Sequence, residues 1–90
     1  MVRTIQAKGW LRTSGFGSAT ARFEIRFESE GPVGEVRSEV AVIAEAKSAG
    51  RALLVTEAGR WISIRPTDMA GNVLQFEVLD DEATLARCFS

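Results

Sequence analysis

The sequence predicts a mostly-β protein: six antiparallel strands in meander order, arranged as a small barrel or a sandwich, followed by a short C-terminal α-helix. Three observations predict it. Apolar and polar residues alternate with period two in several separate stretches, the pattern of a half-buried strand. Short clusters of glycine, proline, serine and asparagine punctuate these stretches at hairpin spacing. Only the tail, from Asp80 to Phe89, changes to helical spacing. Ninety residues make one domain, 1–90, with a thin core, since a chain this short buries only about 60–65% of its unfolded surface.

The first strand is read in "VRTIQAKGWLR", where Ile5, Ala7, Gly9 and Leu11 share one phase and Gln6, Lys8, Trp10 and Arg12 the other. "TSGFGSAT" follows as a loop of small residues with Phe16 at its tip. The clearest strand is "TARFEIRFESE", with Ala21, Phe23, Ile25 and Phe27 facing a core and Arg22, Glu24, Arg26 and Glu28 facing water. "SEGPVGE" reads as a turn around Gly31-Pro32.

The segment from Val36 to Gly50 supports two readings. Its alanines, glutamates and lysine favour a helix, with Ser38 as N-cap and Gly50 as stop. Its polar residues Arg37, Glu39, Glu45 and Lys47 all occupy odd positions, and on a helical wheel Glu39, Glu45, Lys47 and Ser48 scatter around the circle and leave no apolar stripe. Period two is preferred and predicts a long strand with Ile43 on its outer face. The alternative is an α+β fold with a helix at about 38–49.

"RALLVTE" is a strand with apolar residues in both phases, and "EAGR" is a tight turn into "RWISIRP". "TDMAGN" reads as a loop. "VLQFEVL" closes the set, with Leu74, Phe76 and Val78 in phase. In the tail, acids crowd the first turn and Arg87 the last, as the helix dipole favours, and Leu85, Cys88 and Phe89 form a small apolar stripe.

Composition narrows function. The net charge is −1, which disfavours bulk attraction to nucleic acid or an anionic membrane. Histidine and tyrosine are absent, so the commonest general base and metal ligand are missing. The chain carries one cysteine and no long apolar run, so a reduced, cytoplasmic protein is expected, with no signal peptide and no membrane span. "GFG" lacks the spacing and lysine of a phosphate loop. "DDE" is explained as helix N-terminal acids, and Cys88 as a packed apolar residue. No cofactor and no metal is implied.

The tryptophans carry the functional reading, because both fall in the polar phase of their strands. With Ala41, Ile43 and one of Leu53 or Leu54 they form a patch on a face that should be wet. A contiguous apolar patch on a small protein marks an interface. Four things can cover it: the C-terminal helix, a second copy, another partner or ligand, or nucleic acid. The candidate interaction residues are Trp10, Arg12, Phe16, Ile43, Trp61 and Arg65. The expected function is a non-catalytic module for protein–protein contact or homodimerisation. The alternative is binding of a small ligand or single-stranded nucleic acid on the same face, where aromatic platforms beside arginines suit stacked bases. Against nucleic acid stand the acids in the same phases, and "RFEIRFE" is read as cross-strand Arg–Glu pairing.

Overall fold

The computed structural model describes residues 3–15 and 17–89. Phe16, the loop-tip candidate, lies outside the described residues. Six antiparallel strands close into a barrel: β1 (Arg3–Thr13), β2 (Ser18–Glu28), β3 (Gly31–Arg37), β4 (Ala52–Thr56), β5 (Trp61–Ala70) and β6 (Val73–Val78). Helix α1 (Val40–Ala49) links β3 to β4, and α2 (Glu82–Arg87) follows β6. The fold class is the one the alternation predicts, and of barrel and sandwich it is the barrel.

Meander order holds within β1–β2–β3 and within β4–β5–β6 but breaks between them. Around the ring the order is β1-β2-β3-β6-β5-β4, so β3 pairs with β6, and β4 returns to β1. The break follows from the one element the period-two reading misassigned. The segment expected as a long strand, from Val36 to Gly50, holds only the last two residues of β3 and then α1, while the rest of β3 lies in the stretch read as a turn. The helix is the α+β alternative realised inside a barrel. Arg37 is the last residue of β3 and Glu39 the N-cap, so two of the four odd-numbered polar residues lie outside the helix. Glu39 is the one that falls on the apolar side of the wheel, and without it Val42, Ile43 and Ala46 form the buried stripe. The stripe is hard to see because the exposed side is also apolar, with Val40 56% exposed.

Gly50 ends α1 in the left-handed region, φ 75°, and its N–H donates to the Ala46 carbonyl. Ser38 is not the N-cap. Its hydroxyl donates to the Thr20 carbonyl at 2.8 Å and its N–H to the Asn72 carbonyl at 3.1 Å, tying the helix entry to β2 and to the β5–β6 turn.

Three further boundaries differ from the sequence reading. Gly31-Pro32 opens β3 instead of forming a turn, because proline is tolerated at the start of a strand. β2 starts at Ser18, inside the predicted loop. β5 runs on to Ala70, past a register shift between Pro66 and Asp68 where proline has no N–H to give the ladder.

Each helix stops one end of the barrel. β3 ends and β4 begins at the same rim, and a ten-residue helix, roughly 15 Å long, crosses it. It buries Val42, Ile43 and Ala46 in the core beside Leu11, Leu54 and Leu74. At the other rim β1 extends past the end of β4, since its pairing with β4 starts only at Gly9. There α2 inserts Leu85, fully buried, and Phe89 packs on Phe23 with ring centroids 6.5 Å apart. No helix among the described residues is long and apolar enough to cross a membrane.

Candidate interaction face

Strand alternation turns the even residues of β1 outward, and the ladder aligns them with their neighbours. Trp10 stands opposite Val55 on β4, and Val55 stands opposite Trp61 on β5. The two tryptophans therefore flank one valine in a single row. They remain 41% and 57% exposed, while Val55 is only 8% exposed between them. The next row is Arg12, Leu53 and Ser63. Leu79 extends it, because its N–H donates to the Ser63 carbonyl at 2.8 Å. Leu79 is 45% exposed.

Three of the large exposed apolar side chains of the described residues thus lie on one face, with Leu53 and Val55 between them. The Arg12 guanidinium carbon sits 5.6 Å from the centre of the Trp61 ring, a cation–π contact that fixes both side chains.

The sequence-derived candidates separate here. Trp10, Arg12 and Trp61 come together as expected. Ile43 does not join them: it is fully buried on α1 and belongs to the core, a consequence of the strand-to-helix correction. Arg65 is exposed on β5 but is held by an ion pair with Glu77 on β6, away from the tryptophan row. Of Leu53 and Leu54, the outward residue is Leu53, and Leu54 is core. Leu79 escaped the sequence reading, although its phase gave it away. Leu74, Phe76 and Val78 share the core phase, so the next residue must face out.

Helix α2 does not cover this face, since Leu85 and Phe89 turn into the barrel and leave Trp61 open. Its acids serve structure. Asp80 accepts the Ser63 N–H at 2.8 Å, and Asp81 accepts the Thr84 N–H at 2.7 Å as N-cap. The Thr84 hydrogen bonds hold the Asp81 carboxyl below the ordinary aspartate range. Burial, then the nearby Asp80 charge, pushes the Cys88 thiol up, which suits the packed role read for it rather than a nucleophile.

Elsewhere on the barrel, Arg26 pairs with Glu24 and Glu28 along its own strand, at 3.8 and 3.3 Å. The cross-strand Arg–Glu pairing expected of "RFEIRFE" does not form at Arg22, which stands opposite Lys8 on one side and Arg37 on the other. No protein-family model, curated protein or solved structure matches the chain.

Proposed function

We propose that the protein is a non-catalytic interaction module that pairs with a second copy of itself through the Trp10–Val55–Trp61 face. The observation that carries this reading is the gathering of Trp10, Trp61 and Leu79 around Val55 and Leu53 on one surface that neither helix covers. Burying such a patch is favourable in proportion to the apolar area removed from water. Tryptophan and arginine are the residues on which binding energy concentrates, and Arg12 on Trp61 supplies both. A net charge of −1 leaves little repulsion between two copies, and a two-fold pair is the commonest way to close such a face. A cytoplasmic location accompanies this reading, with Cys88 a free thiol.

Sedimentation velocity and tryptophan emission across a dilution series test the proposal. A dimer with blue-shifted emission is expected at high concentration, dissociating on dilution. Trp61→Ser is expected to give a monomer at every concentration with its fold intact. A wild-type monomer at all concentrations, with both tryptophans open to quencher, rejects self-association.

A further inference from the structure

A second feature of the outer surface lies on β1, β2 and β3. Lys8, Arg22 and Arg37 occupy one row, each directly opposite the next. Like charges placed directly across a sheet are destabilising. All three are exposed, and no ion pair or hydrogen bond to a described residue relieves them. Other arginines of the same barrel wall are provided for: Arg26 has Glu24 and Glu28, Arg65 has Glu77, and Arg12 lies on Trp61. The row beside it carries the opposite sign, with Glu24 directly opposite Glu35, so this wall is divided into a cationic stripe and an acidic one.

The three cations form the ridge between two grooves. One, of about 620 Å³, is walled by Trp10, Thr20 and Ser38 as well as by the cations. The other, of about 390 Å³, includes Gln6, Glu24 and Glu35. Neighbouring strands lie about 4.8 Å apart, so the row spans roughly 10 Å. Carboxylates bound it on both sides: Glu24 and Glu35 in one groove, Glu39 and Glu57 in the other. The positive field is therefore short and fenced. It matches a compact anion carrying a few charges and repels the continuation of a long polyanion. Trp10 beside it offers an aromatic surface on which a base can stack, and because the proposed self-contact uses the same side chain, nucleotide and second copy compete for it.

We propose that the Lys8–Arg22–Arg37 row is a nucleotide site, taking a nucleoside di- or triphosphate with its phosphates across the cations and its base in the groove beside Trp10. The occupant is a small phosphate ester rather than a nucleic-acid strand, because the acidic borders leave no track for further phosphates.

Calorimetric titration of the whole protein with ATP, GTP, adenosine, tripolyphosphate and an oligothymidylate tests it. ATP or GTP is expected to bind, tripolyphosphate more weakly, and adenosine not at all. Binding is expected to weaken as salt is raised. Arg22→Gln is expected to weaken nucleotide binding by about tenfold or more, the usual loss for a charge-assisted hydrogen bond to phosphate. Arg65→Gln is expected to leave binding unchanged. Arg22→Gln also removes like-charge repulsion, so the free variant is expected to melt roughly 1–5 °C higher than the wild type. Several results overturn the proposal. They are no binding of either nucleotide at millimolar concentration, equal binding by Arg22→Gln, tighter binding of the oligothymidylate than of ATP, or a lowered melting temperature for Arg22→Gln in the absence of ligand.

Discussion

Gly9 decides how close β1 and β4 come. It faces the barrel interior, and a Cβ built there would lie 1.8 Å from the Val55 carbonyl oxygen and 2.9 Å from the Val55 carbonyl carbon. The obstruction is backbone and cannot rotate aside. The same strand pair sets Trp10 beside Val55, so the tryptophan row depends on a glycine behind it. Gly9→Ala is expected to destabilise the protein by about 1–3 kcal/mol, the range for forcing an extra methyl into a closed interior. Urea unfolding of the variant against wild type measures it. An unchanged midpoint would show that the seam opens freely. At this scale the sequence was most informative about phase. The alternation of β1 and β5 put both tryptophans outside, and the phase of Leu79 was equally plain. What alternation could not supply was which outward residues meet, since that depends on pairing between strands distant in the chain.

Among the elements, α1 was the one misread, for a reason visible in its residues. Glu39 precedes the helix as its cap, and including it in a helical wheel sets a charge in the middle of the stripe of Val42, Ile43 and Ala46. The Gly50 stop was correctly placed, because a left-handed cap needs only local chemistry. The helix makes a sharp demand on Ile43. As a buried plug residue it is expected to cost about 2–5 kcal/mol when changed to alanine, whereas an outward strand residue would cost under about 0.5 kcal/mol. Thermal or urea unfolding of Ile43→Ala separates the two.

The second helix carries a pH dependence. The folded-state carboxyl of Asp81 titrates lower than it would in the unfolded chain, so its cap contributes stability above the unfolded value. That contribution is lost as the pH falls through the folded value. α2 is therefore expected to hold at neutral pH and to fray in acid, below the region of about pH 3.9 where an ordinary aspartate titrates. Proton NMR of the Phe89 ring, which packs on Phe23, reports the release. Asp81→Asn keeps a capping oxygen without the titration, and it is expected to flatten this acid dependence.

Over the whole molecule, the order β–β–β–α occurs twice, and neither half is finished alone. The first half exposes the edges of β1 and β3, the second those of β4 and β6. Closure joins β1 to β4, from Gly9 opposite Thr56 to Thr13 opposite Ala52. It joins β3 to β6, from Val33 opposite Glu77 to Arg37 opposite Val73. Composition indicated a single domain but could not indicate this ring, because the edges that meet are set by where α1 delivers the chain. The core also draws on both halves, with Leu11, Ile25 and Val36 packed in one cluster with Leu54, Ile64 and Phe76. A closed ring of strands around one core should unfold as a unit. Each half happens to carry one tryptophan, Trp10 in the first and Trp61 in the second, so each can be followed separately. The single-tryptophan variants Trp10→Phe and Trp61→Phe, diluted to the monomer, are each expected to show one urea transition. In each variant the fluorescence transition should coincide with that of its far-ultraviolet circular dichroism, with a slope of about 1 kcal/mol/M. If the Trp61 signal in Trp10→Phe moved at lower urea than the dichroism of the same variant, the second meander would be opening first. The two seams would then be weaker than the meanders they join. Coincidence would instead tie both outward faces, the tryptophan row across the β1–β4 seam and the cation row on β1–β3, to the same closed ring.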